Sequence, residues 1–251
     1  MRVDSVLVAR DLFLKALELL WKRRRVLFPL TTLVFLLGMS FEYYVDIPVL
    51  LNNSQLLLVC IGVGFLTFLL VSVIFHKILF SHDNLLPKPK EAFSYGLRLI
   101  LIFVFMLPIW FIFGLVLDVF AAIGEDGIYY WLFYFELTGL FVGWFFYRFG
   151  LALVAAAVGN RSFGFHDSWQ ATSSFNGSLL IVVILERLVQ TGLGYMSDFV
   201  TSVIPIIAPV LSTLGLILIQ LFYFSIVTIL YQKHLESSMY LEEAGGIQYE
   251  N

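Results

Sequence analysis

Six stretches of this 251-residue chain are apolar over the ~20 residues a helix needs to cross ~30 Å of hydrocarbon: about 26–45, 55–75, 97–121, 131–158, 178–197 and 208–231. Chain that dissolves in lipid must satisfy its backbone N–H and C=O groups internally, which leaves helices or a closed barrel. A barrel strand alternates polar and apolar residues. Residues 56–63, LeuLeuLeuValCysIleGlyVal, are continuously apolar. The sequence therefore predicts an all-α integral membrane protein with six transmembrane helices. Composition agrees, with 60% hydrophobic and 13% charged residues and a mean hydropathy of +0.92.

The charges orient the spans. Arg2, Arg10, Lys15, Lys22, Arg23, Arg24 and Arg25 precede the first; Lys77, Lys88, Lys90 and Arg98 flank the second connection. Arg161 lies in the fourth connection and Lys233 follows the last span. The first, third and fifth connections hold no Lys or Arg but carry Asp46, Glu125 and Asp126, with Asp198 near the end of the fifth span. This asymmetry is the positive-inside rule, and it places both termini in the cytoplasm. The division that follows is a cytoplasmic amphipathic interfacial segment at 1–25, a six-helix domain at 26–231 and a short acidic cytoplasmic tail at 232–251. The net charge of -3 gives no reason to expect a nucleic-acid partner. The one cysteine, Cys60, allows no intrachain disulfide. The charges scattered through the first twenty-five residues do not fit a cleavable signal.

A short pattern recurs on the cytoplasmic side, acid-x-aromatic at Asp11–Phe13, Glu91–Phe93 and Asp167–Trp169, with acids 80 and 76 residues apart. Two spans follow each instance. The pattern raises a threefold parallel repeat of interfacial helix plus helical hairpin, related by an axis along the membrane normal. In the first copy Asp11, Lys15, Glu18 and Lys22 mark a polar face in two acid-first i,i+4 pairs, and Phe13, Leu17, Leu20 and Trp21 mark an apolar one. Such a segment lies along the membrane surface; the alternative is a cytoplasmic extension of the first span. Phe13, Trp21, Phe93 and Trp169 are the expected interfacial anchors. The third copy is expected to stop at Asn176-Gly177.

The run from Arg148 through Gly177 resembles a recurring pattern of small bacterial membrane proteins. There a span ending in small residues leads through a short basic loop to a Ser-containing amphipathic segment with Ala-Trp and Thr. That family includes the membrane domain ahead of some bacterial glycerophosphodiester phosphodiesterases, and stand-alone six-span proteins. This chain has Ser168-Trp169 in place of Ala-Trp and no basic residue beside Thr172. About twenty residues follow the last predicted span, so the resemblance brings no phosphodiesterase activity with it. It implies a six-span protein of the bacterial cytoplasmic (inner) membrane.

Ionisable residues within spans are functional candidates because lipid makes them costly. Arg148 lies about ten residues before the cytoplasmic end of the fourth span and Glu186 about eight into the fifth. On adjacent antiparallel helices the two would meet and pair, with Arg187 snorkelling or pairing elsewhere. Structural glue outweighs an ion pathway for such a pair. Glu42, Asp118 and Glu136 sit nearer the outer interface. The four histidines, His76, His82, His166 and His234, read as cytoplasmic interfacial residues without metal-ligand spacing. No phosphate loop, G-x-S-x-G or H-E-x-x-H occurs, so no catalytic residue, metal or cofactor is expected. Gly139-x-x-x-Gly143, continued by Gly150, Ala152, Ala155, Ala156, Ala157 and Gly159, marks the fourth span as a central packed helix. Pro108 is expected to kink the third span, and Pro205 with Pro209 to break the chain before the sixth. Aromatics at 129–135 and at Phe41, Tyr43 and Tyr44 are expected outer-interface anchors.

The functional expectation is a non-enzymatic membrane protein: a scaffold, an accessory subunit of a larger membrane complex, or a lipid-interacting module. The alternative is a transporter or channel for a lipid-like or apolar solute.

Overall fold

The computed structural model describes residues 3–44, 54–80, 85–121, 127–204 and 207–246. Their side chains are described over 4–39, 58–80, 85–115, 136–204 and 207–238, apart from 61, 201, 205, 206 and 208. Asp46, His82, Glu125 and Asp126 fall outside these residues, as do the side chains of Glu42, Asp118, Pro205 and the aromatics at 41–44 and 129–135. The described chain is all helical: α1 (Val3–Tyr44), α2 (Ser54–Phe80), α3 (Pro89–Ala121), α4 (Gly127–Ala157), the short α5 (Phe165–Ala171) with a 3-10 turn (Ser173–Phe175), α6 (Asn176–Val203) and α7 (Ala208–Gly246).

Five of these helices are long and apolar enough to cross a membrane, over Leu58–Phe80, Pro89–Leu115, Glu136–Ala157, Ser173–Val200 and Pro209–Ser238. The expectation was six. The first apolar run lies in α1, but its described side chains extend only from Val26 to Met39, short of the ~20 residues a crossing needs.

Helix ends follow local chemistry. Pro89 opens α3 in the first turn, where its missing N–H costs nothing. Glu91 reaches back to accept the Lys88 N–H at 2.8 Å. Asp167 does the same in α5, accepting the Gly164 N–H at 2.6 Å. Both are the acidic half of a capping box. At the end of α4, Asn160 N–H bonds Ala155 O at 2.8 Å across Gly159, whose φ of 87° is the left-handed conformation that suits glycine. Ile204 at the end of α6 is extended, as a residue ahead of proline tends to be. The helices run on through Pro29 and Pro108.

Four expectations about the cytoplasmic segments change. In α1 the amphipathic segment and the apolar run are one continuous helix of 42 residues, about 63 Å long at 1.5 Å per residue. The expected separate surface helix is therefore absent: 22–28 holds no Gly, Asn, Asp, Ser or Thr to cap an end, and the helix continues through Pro29. In the second copy, Glu91–Phe93 is simply the first turn of α3. Only the third copy has its own short helix. Asn176-Gly177 begins α6 instead of ending α5, since the 3-10 turn feeds straight into it. At the other end, α7 continues past Tyr231 to Gly246, so the expected tail is helical as far as that residue.

Helices α1, α4, α6 and α7 enclose one apolar cluster, α2, α3 and α4 a second, and α1, α2 and α7 a third. α4 serves two of them. Leu151, Val154 and Ala155 face the first, while Leu153, Ala156 and Ala157 face the second. α1 buries a stripe of small residues and Leu12 between Ala9 and Ala16, leaving Phe13, Leu17 and Trp21 exposed. The apolar face read from the sequence is thus the more exposed one, while α1 packs into the bundle through small side chains and Leu12.

Candidate functional site

The Gly139–Gly143 face of α4 packs on α6. A Cβ at 143 would lie 2.8 Å from Val183 Cγ1, and one at 139 would overlap the Arg187 guanidinium. The two glycines thus receive side chains four residues apart on the neighbouring helix. Gly150 does the same for α7, where a Cβ would stand 2.7 Å from both Tyr223 Oη and Val227 Cγ1. With the guanidinium laid against Gly139, Arg187 Nε lies 3.8 Å from Glu136 Oε2 and Nη1 donates to Gln190 at 2.6 Å. Thr191 donates to the other Glu136 oxygen at 2.6 Å.

Arg148 and Glu186 do not pair. The Arg148 side chain is fully buried; Nη1 donates to Asn176 Oδ1 and the guanidinium lies 3.8 Å from the centre of the Trp169 ring. The Ser168 hydroxyl donates to the Arg148 carbonyl at 2.7 Å. Glu186 instead accepts a hydrogen bond from the Tyr147 hydroxyl. Side-chain direction as well as register explains the miss, since the neighbouring Tyr147 does reach Glu186. Gly143 meets Val183 and Glu136 meets Thr191, which puts Arg148 level with Leu179, about 10 Å along the axis from Glu186. Arg148 is also turned ~100° around α4 from Tyr147, towards α5. A pairing of Arg148 with Glu186 requires the end of α4 and the start of α6 to lie at one level. In the structure α6 starts beside Arg148, nine residues short of the end of α4, because α5 tucks against the side of α4.

Of the four expected anchors, Trp169 is drawn inward. Its ring meets Trp144, Phe145 and Phe149 at centroid distances of 5.7, 6.0 and 5.6 Å. Phe13 stacks on Phe222 at 4.8 Å. Trp21 and Phe93 are 69% and 73% exposed, and Arg24 lies over the Trp21 ring at 4.2 Å.

A second polar cluster was not anticipated. His76 is completely buried, its Nδ1 3.2 Å from Thr228 Oγ1 and its ring edge-on to Phe224 at 4.8 Å. Next to it the buried Lys77 ammonium meets Glu91 Oε2 at 2.6 Å and donates to Leu86 O at 3.2 Å. The available signal was positional: both residues stand inside the apolar run of α2, with IleLeuPhe still to follow. His166 and His234 lie elsewhere, beside Gln170 and Phe163. Among the described residues no three His, Cys, Asp or Glu side chains converge on a metal-sized site.

A groove of about 550 Å³ lies between α1, α6 and α7. Val6, Phe13, Leu185, Val189, Leu218 and Phe222 form its walls, with Arg10 and Glu186 its ionisable members. Its accessible surface is entirely apolar. It is the size of a small-ligand site. Comparison with family models, with curated proteins and with solved structures found no match to this chain.

Proposed function

We propose that this chain is a non-enzymatic, lipid-interacting membrane module that holds a hydrocarbon chain in the groove between α1, α6 and α7. The carrying observation is a groove of about 550 Å³ whose accessible surface is wholly apolar. An acyl chain fits such a lining, whereas a polar substrate would lose its hydration without replacement. The reading includes six spans, the sixth being the apolar half of α1, and residence in a bacterial inner membrane with both termini cytoplasmic. The charge pattern supports that orientation, and the likeness of Arg148–Gly177 to small bacterial six-span proteins goes with it. The shared capping acids Glu91 and Asp167 support a parallel relation between the second and third hairpins. A protein of this kind acts as a scaffold or accessory subunit through its lipid and helix contacts.

The test is native mass spectrometry of the full chain released from mild detergent. Leu185→Trp with Leu218→Trp fills the groove, and the variant is expected to retain one lipid fewer than the parent at unchanged helicity. Equal retention would refute the groove as a lipid site. The alternative, a carrier for an apolar solute, draws on the same volume. It predicts solute-dependent flux in vesicles that the filled variant abolishes.

A further inference from the structure

We infer that a separate site at the start of α3 binds the phosphate headgroup of an anionic phospholipid, with an acyl chain laid along the outer face of α3. This goes beyond the groove reading and stands or falls independently of it.

A recess of about 500 Å³ lies between the first turns of α3 and the connection after α4, and Lys90, Phe93, Ser94, Leu97, Arg98 and Arg161 line it. Three of those six carry positive charge and none is acidic. None of the three belongs to a salt bridge among the described residues. The neighbouring acids are committed elsewhere. Glu91 turns the other way, to Lys77 Nζ at 2.6 Å and the Lys88 N–H. Asp167, whose charge reaches Arg98, accepts the Gly164 N–H.

Arg98 fixes the geometry. Its Nη1 donates to Ala152 O at 2.5 Å and Nη2 to Arg161 O at 3.3 Å, so one guanidinium ties α3 to α4 and to the loop carrying Arg161. Those acceptors are neutral carbonyls, and among the described residues no carboxylate forms a salt bridge with the Arg98 guanidinium. Lys90 and Arg161 are exposed around it. A recess of this kind offers a diffuse anion three cations and the Ser94 hydroxyl.

The apolar surface decides what sort of anion belongs there. Phe93, Leu97 and Leu101 recur every four residues down α3 and are 73%, 48% and 37% exposed. They form a lipid-facing track that starts at the cationic recess and runs into the span. A free phosphate would use the recess alone, whereas a phospholipid uses both. Basic recesses at membrane-helix ends bind anionic headgroups in this manner.

The test uses native mass spectrometry of the full chain in mild detergent, titrated with phosphatidylglycerol or phosphatidylcholine. Lys90→Gln with Arg161→Gln removes two charges and leaves Arg98 to hold the fold. Phosphatidylglycerol binding is expected to weaken about fivefold per charge, about thirtyfold in all, with phosphatidylcholine binding unchanged. Lys90→Arg with Arg161→Lys is expected to restore it, and Phe93→Ser with Leu97→Ser to weaken it with all charges in place. Equal affinity of the parent for the two lipids would overturn the inference, as would an unchanged Lys90→Gln, Arg161→Gln variant. So would displacement of the lipid by millimolar inorganic phosphate, which marks a soluble-anion site.

Discussion

Gly143→Ala tests the packing that sets the register of this bundle. The new methyl group would lie 2.8 Å from Val183 Cγ1, with Cγ2 at 3.6 Å and Cβ at 3.8 Å. Val183 is buried and β-branched, so its χ1 is held near one rotamer and cannot swing aside. The helices must part by several tenths of an ångström or more. Alanine gains ~1 kcal/mol over glycine in helix propensity, while forcing a methyl group into a packed interface costs about 1–3 kcal/mol. The net is a loss of up to about 2 kcal/mol. Gly192→Ala in α6 supplies the baseline, because nothing lies within 4 Å of its added Cβ; it keeps the propensity gain and is neutral or stabilising. The assay is thermal unfolding in mild detergent, read by size-exclusion recovery of monodisperse protein. Val183→Ala removes the obstructing γ-carbons, so the Gly143→Ala, Val183→Ala double variant should be more stable than the sum of the single losses, with a coupling of about 1 kcal/mol. Were Gly143→Ala as stable as Gly192→Ala, and the double variant additive, α4 and α6 would not approach at this point. The register of α4 against α6 would then fall with it.

Two other perturbations probe the buried charges. Glu91→Gln leaves the fully buried Lys77 ammonium without its counter-charge, and by analogy with soluble proteins about 3–5 kcal/mol is lost; Lys77→Met with Glu91→Gln should recover much of it, and a double variant as unstable as Glu91→Gln alone would deny the pairing. Arg148→Leu and Glu186→Leu serve different partners, Asn176 and Trp169 for one and Tyr147 for the other, so their losses in the same unfolding assay should add to within about 0.5 kcal/mol. Mutual rescue between them would contradict the observed contacts.

What the sequence made legible depended on how far apart the interacting groups are along the chain. Long apolar runs predict helices of membrane-crossing length because hydrophobicity and backbone satisfaction act within a segment. The caps were partly legible for the same reason. The recurring acid at 91 and 167 is visible as a pattern, and its cause is a side chain reaching three residues back. In the first copy the acid means something else: Asp11 sits within α1, 3.2 Å from Lys15 Nζ and 3.9 Å from Lys233 Nζ. A triplet shared by three segments can thus have two physical origins, and only the capping one starts a helix. The partners within the buried cluster at His76, Lys77 and Glu91 were not legible, since that of Lys77 is fourteen residues away across a turn and that of His76 is 152 residues away.

The charge pairing shows where one-dimensional reasoning fails. Counting residues inward from helix ends assumes that consecutive membrane helices start and stop at common levels. The connection after α4 breaks that assumption, because it returns along α4 before α6 begins. Three local contacts force the return: Ser168 on the Arg148 carbonyl, Trp169 under the Arg148 guanidinium, and Phe165 edge-on to Phe149 at 5.5 Å. Serine suits position 168 because a small, fully buried side chain must also donate to that carbonyl. The run from Arg148 through Gly177 is therefore one unit in space as well as in sequence. An aromatic and hydroxyl-bearing segment docks on its own preceding helix and carries Asn176 to the side chain it began from. Arg148 is better understood as the clasp of that unit than as half of an ion pair. It ties α4 to the start of α6 through Asn176 and to α5 through Trp169, and a cation in this position meets a ring face and an amide oxygen without a buried carboxylate.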